Sequence, residues 1–388
     1  SGQINSLGQQ AIISYFNNDI KQSKAYLEKS ELLIESSNDL TAIMWFQLRK
    51  ATLLVYFGEK EQAYNLLQKT LTQINKQGIK NPEVLGRLYN EMARATIGNN
   101  QEALEHMSKA VDYAKLHYGE LSPIYQTRLK SKSTYLIALF RYDEAIQALN
   151  ESSKIAEKLY SKAHSKYIKI IHQKAYIFHD LGQFNLAKEA YIEANDGDEK
   201  LFGINNRSYA IGINNLAYLY EDMGQLDLAE KHYRESIKIR RLTDPDNQIL
   251  IASSESNLSR TLAKKGQFDK AEEILLPLLD VFTKHKKNNL YNDIVLASVT
   301  IRNGENANQC LDGLNKIETI ITHLEKQSPK SWRRMYAELW IGEMYGLCGK
   351  KAEAHKWLDA ALEKSKTIYI EGSDGQKLMA KRVKDLKS

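Results

Sequence analysis

At 388 residues the chain is longer than one compact core usually serves, so it either divides into domains or extends as an array. A hydrophobic fraction of 43% with 26% charged residues, 5 Pro and 20 Gly excludes collagen-like and disordered chains and fits a mostly helical one. The net charge of +6 arises from 54 basic and 48 acidic residues spread along the whole length, without a basic stripe interleaved with aromatics, which argues against direct nucleic-acid binding.

No apolar run is long enough to cross a bilayer and no leader-like segment opens the chain, so this segment is expected to be soluble and to make no membrane contact. Opening on Ser1-Gly2 without Met, it is expected to be trimmed or to begin on a tag remnant, with attached domains lying outside this sequence.

Along the chain, residues 1–40 read as a degenerate helix pair, and from residue 41 a fixed period takes over. Alanines fall at Ala63, Ala103, Ala145, Ala187, Ala229 and Ala271, at steps of 40 and then 42 residues, and again at Ala354, 83 residues on. A second small-residue series lies ten or twelve residues earlier: Ala51, Ala93, Ser133, Ala175, Ala217, Ser259 and Gly342. Helices approach closely only where side chains are small, so each series marks a crossing between paired helices. Between the two series Gly58, Gly98, Gly182, Gly224, Gly266 and Gly349 predict a left-handed turn, with Phe140 in that place in one unit.

Apolar residues between these markers recur at helical spacing, as in Leu216, Leu219 and Tyr220, then Leu228, Tyr233 and Ile237. Each unit is therefore predicted as helix, turn, helix. About nine units are expected, beginning near residues 6, 41, 82, 122, 164, 206, 248, 290 and 331, each burying its apolar face against its neighbours. Pro82, Pro123, Pro245 and Pro329 precede or open first helices, whereas Pro277 is expected to kink a second helix.

The organisation expected is thus 1–40 as a degenerate pair, 41–287 as six regular repeats and 288–330 as an irregular repeat. A repeat over 331–370 and a basic tail or capping helix over 371–388 complete it. The irregular repeat loses its register around Asn303-Gly304-Glu305-Asn306. Deleting the chain from Ser331 onward is expected to expose an apolar face and cause aggregation.

The stretch Asn214-Asn215-Leu216-Ala217-Tyr218-Leu219-Tyr220, followed by Gly224-Gln225-Leu226 and Leu228-Ala229-Glu230-Lys231-His232-Tyr233, resembles the tetratricopeptide repeat in its 42-residue, kinesin-light-chain-like form. It recurs as Ser256-Asn257-Leu258-Ser259 with Gly266-Gln267-Phe268-Asp269-Lys270-Ala271-Glu272. Leu116-His117-Tyr118-Gly119-Glu120-Leu121-Ser122-Pro123 is similar to the Tyr-Gly-x-x-His-Pro linker of bacterial arrays, with the His displaced. The resemblance implies an all-α, right-handed superhelical solenoid of about nine antiparallel helix pairs, acting as a scaffold that holds a peptide or partner segment in a concave groove.

Chemistry-bearing motifs do not appear. Gly-rich phosphate loops, His-Glu-x-x-His, Cys-x-x-Cys and Gly-x-Ser-x-Gly are absent, so neither an enzyme nor a cofactor or metal site is expected. Asn195-Asp196-Gly197-Asp198-Glu199 does not match a calcium loop and reads as a solvated helix end. His172 and His179 share a helix face without a carboxylate between them at ligand spacing, which suits groove lining better than metal binding. Tyr191, Tyr220 and Tyr233 read as core. Cys310 and Cys348 lie at helix ends that antiparallel packing would bring together, as a buried thiol pair or as a disulfide, the latter implying an oxidising compartment.

In a groove lined by first helices, residues three before, one after and four after the small residue form one stripe. That register selects Asn90, Arg94, Lys130, Thr134, His172, Tyr176, His179, Asn214, Tyr218, Glu221, Ser256 and Arg260, with Arg87 and Lys169 one turn earlier. The stripe is basic and amide-bearing, which predicts a protein or peptide ligand of acidic character. By analogy with similar arrays, the chain is expected to be the sensor or docking part of a larger bacterial signalling protein, cytoplasmic, or periplasmic if fused to a membrane-anchored regulator. A peptide-pheromone receptor is the alternative. The sequence leaves the oligomeric state open.

Overall fold

The structure is a computed structural model and describes residues 2–35, 37–285, 290–302, 310, 312–317, 320–321 and 332–388. The register loss at Asn303–Asn306, Pro329 and the deletion point Ser331 lie outside the described residues. The chain packs as two compact units, Ser1–Ser161 and Lys162–Ser388.

The first unit is four antiparallel helix pairs in tandem: α1 (Gly2–Phe16) with α2 (Ile20–Glu35), α3 (Leu40–Tyr56) with α4 (Lys60–Lys76), α5 (Pro82–Ala95) with α6 (Asn100–Tyr118), and α7 (Pro123–Ala138) with α8 (Tyr142–Tyr160). The second unit continues with α9 (Ser165–Asp180) and α10 (Phe184–Phe202), α11 (Arg207–Asp222) and α12 (Leu226–Thr243), and α13 (Gln248–Lys264) and α14 (Phe268–Lys284). After α15 (Leu290–Arg302) come the pair α16 (Trp332–Leu347) and α17 (Lys351–Ile368), then α18 (Asp374–Lys387). Among the described residues there is no strand.

The period read from the sequence is the packing code of these pairs. Ala51, Ala175 and Ala217 on first helices, and Ala63, Ala187 and Ala229 on second helices, are fully buried. At Gly342 an added Cβ would fall 2.8 Å from Leu358 and 3.1 Å from the carbonyl of Ala354, so the last pair crosses where only glycine fits. Where serine replaces alanine, its hydroxyl is satisfied across the crossing, as in Ser259 Oγ donating to the Ala271 carbonyl at 2.6 Å.

First helices begin as their sequences direct. Asn81 Oδ1 accepts from the amides of Glu83 and Val84 ahead of Pro82, and Ser122 Oγ accepts from the Tyr125 amide ahead of Pro123. The turns end them in the left-handed region: Gly182 and Gly224 have φ of 73° and 77°, and Phe140 adopts 58° in the same place. Helix α14 continues across Pro277.

Cys310 and Cys348 are joined, with Cα atoms 5.8 Å apart, as a disulfide closing a 38-residue separation. Thiol titration of the denatured, unreduced chain is therefore expected to find no free thiol, and reduction is expected to cost about 2–4 kcal/mol of stability. Two titratable thiols in unreduced protein would contradict the pairing.

The C-terminal segment folds back onto earlier repeats of its own unit. Met335, Tyr336 and Leu339 of α16 share a core with Ala175 of α9 and Leu216 and Leu219 of α11. The Ile370 amide donates to the Leu181 carbonyl at 3.1 Å, and the Gly375 amide to the Gly182 carbonyl at 2.8 Å. Arg382 of α18 donates to the Asp222 carbonyl at 3.1 Å. The backbones of Gly182 and Gly375 touch: a Cβ on Gly375 would lie 2.8 Å from the Gly182 Cα. Residues 374–387 are thus a docked helix, capped by Ser373, with Met379 and Val383 buried.

Candidate partner-binding site

In the first unit the predicted stripe lines an open concavity. Val84, Leu85, Leu88 and Met92 face the core, which turns Arg87, Asn90, Glu91 and Arg94 of α5 together to the side that meets α3 and α7. The Arg87 guanidinium lies 5.4 Å from the ring centre of Trp45, and Arg94 lies 4.7 Å from that of Tyr56. Glu91 is buried and has both oxygens engaged: Oε1 accepts from Asn90 Nδ2 at 2.8 Å and Oε2 from Arg94 at 2.7 Å. Tyr135 Oη donates to the Ala93 carbonyl at 3.0 Å, fixing α7 against α5.

Arg128 of α7 completes the group. Burial lowers its pKa most; Glu91 works against that, and Arg87 and Arg94 push it down again. Among the described residues neither Arg87 nor Arg128 has a carboxylate at ion-pair distance, so positive charge here exceeds what Glu91 balances. Arg49 lies 6.0 Å from the Trp45 ring centre, its pKa lowered by burial and then by Arg87. Glu83 stands at the rim, accepting from the Tyr118 hydroxyl at 3.2 Å. The concavity measures about 520 Å³, with Trp45, Tyr56, Tyr113, Arg87, Arg94 and Arg128 among its walls. Lys130 is half-buried and Thr134 exposed on α7.

In the second unit the same stripe is largely spent on internal contacts. His172 Nε2 lies 2.9 Å from Asp198 Oδ2, and His179 Nε2 lies 2.9 Å from Asp222 Oδ2. Glu221 is fully buried and accepts from Arg260 at 2.7 and 2.8 Å, Lys264 at 2.7 Å, Thr261 at 3.2 Å and Tyr233 at 3.2 Å. Burial raises the Glu221 pKa, yet Arg260 and Lys264 outweigh it and hold the carboxyl well below its ordinary value. Arg260 also stacks 4.9 Å from the Tyr218 ring centre. Asn214 Oδ1 accepts from Ser254 Oγ at 2.9 Å, and the buried Ser256 donates to Asn292.

The stripe on α9, α11 and α13 therefore does not stand open throughout as the sequence reading had it. Lys264, next to it, lies 5.9 and 5.5 Å from the rings of Tyr336 and Trp340 of α16. His179, Glu221, Ser256 and Arg260 are buried, as is Asn90 in the first unit; Tyr176 and Tyr218 are half-buried, and Lys169 is exposed. The acidic run at 195–199 is a second correction. It sits inside α10, and Asp198 is buried against His172 because Gly212 lets α11 close in: a Cβ there would meet Asn195 Oδ1 at 1.9 Å. No cluster of three metal-ligating side chains occurs among the described residues.

Sequence comparison decides the kind of repeat. The tetratricopeptide repeat model matches residues 166–242 and 208–284, the helix pairs whose geometry is described above. The chain carries tetratricopeptide repeats. A model of anaphase-promoting complex subunit 5 matches residues 11–77 and 88–180. No curated protein matches the chain.

Solved structures with similar tetratricopeptide-type folds span almost all of it. Apo RapI has a TM-score of 0.67 at 14% identity, covering 95% of this chain and 99% of its own. A Rap protein complexed with Competence and Sporulation Factor has 0.62 at 14%, covering 100% and 98%. NprR in complex with its cognate peptide NprX has 0.58 at 14%, covering 93% and 97%. At these identities the likeness is one of fold.

Arg128, Trp45 and Tyr56 were missed by sequence reasoning. Trp45 stands six residues before its small residue, the position that Arg87 and Lys169 hold in theirs, and an aromatic there was a usable signal. Arg128, five before Ser133, falls off the assumed stripe and reaches the concavity only because arginine is long.

Proposed function

We propose that this chain is a protein-interaction scaffold that binds an acidic peptide or partner segment, as the sensor or docking part of a larger bacterial signalling protein. One observation carries the reading: an open concavity in the first unit walled by Arg87, Arg94 and Arg128, of which Glu91 pairs Arg94 alone, set on aromatic platforms. Partly desolvated cations without partners cost stability, so their presence points to an external anion. Binding rather than catalysis is the role assigned to the site. Supporting it, two proteins of the same fold are solved with a bound factor or cognate peptide, which also favours a peptide-responsive regulator as the closest variant of the reading. The Cys310–Cys348 bond favours periplasmic over cytoplasmic placement.

The test is selection of a random peptide library on the immobilised chain, followed by affinity measurement. Retained peptides are expected to be acidic, and Arg87→Gln to weaken them about tenfold, one lost charge-assisted contact being worth roughly 1.5–3 kcal/mol. Equal loss from changing exposed residues of second helices, such as Lys109 or Lys154, would count against the site.

A further inference from the structure

A second cavity, of about 290 Å³, lies wholly inside the second unit and takes no part in the scaffold reading. Its floor comes from α16, where Tyr336, Leu339 and Trp340 fall at helical spacing on one stripe and are each less than a tenth exposed. Leu226, which opens α12, and Leu386 of α18 add apolar wall.

Charged groups line it in two sets. Arg382 of α18 lies against the turn between α11 and α12: it donates to the Asp222 carbonyl at 3.1 Å and would sit 3.4 Å from a Cβ on Gly224. Among the described residues no carboxylate comes within ion-pair distance of it. Lys264 lies 5.5 Å from the Trp340 ring centre and shares the Glu221 carboxylate with Arg260, so one anion serves two cations there. The second set is acidic. Glu343 follows Trp340 and Asp385 follows Arg382, each by three residues, which sets each about 4.5 Å further along its helix. Helices α16 and α18 advance in the same sense, because 336–343 meet 382–386 around this cavity and 342–347 meet 386–388 around the next. Both carboxylates therefore stand toward the same end, and among the described residues no cation reaches that of Asp385.

An apolar floor with a few polar groups at its margins is the make-up of a small-molecule site. A purely anionic ligand would meet Glu343 and Asp385, and a purely cationic one Lys264 and Arg382, each leaving a charge desolvated without a partner. In an α-amino acid, carboxylate, ammonium and side chain leave one carbon in three directions, matching the three kinds of wall. A peptide residue has given up one or both of those charges to its amide bonds.

We infer that this cavity is a binding site for a free α-amino acid with a large apolar side chain, of leucine to phenylalanine size. Arg382 holds its carboxylate, Asp385 its ammonium, and the α16 stripe its side chain. Since Arg382 and Asp385 belong to α18, the ligand also fastens that helix in its docked place.

Titration calorimetry and thermal unfolding of the full chain test this. The probes are L-leucine, L-phenylalanine, phenylalaninamide, 3-phenylpropionate and a peptide ending in phenylalanine. Leucine or phenylalanine is expected to bind saturably, one per chain, and to raise the midpoint of the second unit by about 5–10 °C at a hundred times its Kd. The amide, the deaminated acid and the peptide should each bind at least about tenfold more weakly, one charge-assisted contact being lost. Asp385→Asn changes an exposed side chain, so the midpoint of the free chain should hold. It should weaken phenylalanine about tenfold and leave 3-phenylpropionate unchanged, a difference that a structural effect would not produce. Arg382→Gln should weaken both alike.

No saturable binding of either amino acid at millimolar concentration would overturn the inference. So would the amide, the deaminated acid or the peptide binding on a par with phenylalanine, or Asp385→Asn leaving phenylalanine affinity as it was.

Discussion

Replacing Arg260 with alanine is expected to destabilise the second unit by about 3–5 kcal/mol, the range for stripping one partner from a buried ion pair. Glu221 is wholly inaccessible and Arg260 nearly so, and the two are joined by a bidentate contact that Lys264, Thr261 and Tyr233 complete. Removing the guanidinium leaves a buried carboxylate with Lys264 as its one remaining cation. Replacing both residues together, Glu221→Leu with Arg260→Met, should recover most of the loss, since an apolar pair of similar volume needs no desolvation.

The network also has a pH signature. The Glu221 pKa lies below its unfolded value, near 4.3, so its contribution is full above that pH. It is lost as pH falls toward the folded value. Urea denaturation at pH 7 and at pH 3 should show Arg260→Ala costing much less at the lower pH. A loss under about 1 kcal/mol at pH 7 would mean that the pair contributes nothing net.

Ending the chain after Ile368 is expected to lower the midpoint of the second unit by on the order of 10 °C and to promote aggregation. The deletion removes Tyr369, Met379 and Val383, all buried, each worth roughly 1.5–3 kcal/mol of apolar burial. It uncovers Phe184 and Gly182, against which Tyr369 packs, and the Tyr336 hydroxyl that pairs with Tyr369 at 3.1 Å. An ordinary terminal cap shields only the last repeat, whereas this one braces α9 to α11 from the side. Differential scanning calorimetry decides it: an unchanged midpoint would reduce α18 to decoration.

The repeat was legible because its signal is local. Ala217 and Ala229 need to be small for reasons confined to one pair, and the same need returns every 42 residues. Even Phe140, which breaks the glycine rule, was legible by phase, and its φ of 58° shows that the turn imposes the conformation on whatever residue stands there.

Half of the candidate site was legible for the same reason, Arg87 and Arg94 falling on the predicted stripe and lining the concavity. Contacts between distant repeats were not. Arg382 meets Asp222 across 160 residues and Asp374 meets Asn185 across 189, separations at which no periodicity survives. His172 with Asp198 lies between these cases. It spans 26 residues, as do Gln126 with Ser152 and Ala210 with Ser236, so a pairing rule did exist in the sequence, but it joins different residue types each time.

The contact between Gly182 and Gly375 bears on the order of events during synthesis. A tandem array can fold as it emerges, each pair settling on the one before it. Here the turn at Gly182 waits for a strand of backbone made almost two hundred residues later, and the ring of Tyr369 must arrive with it. Until residues 369–387 have been made and have emerged, their docking surface on α9 to α11 remains bare. The second unit thus combines the local, fast assembly of a repeat with a slow, non-local final step.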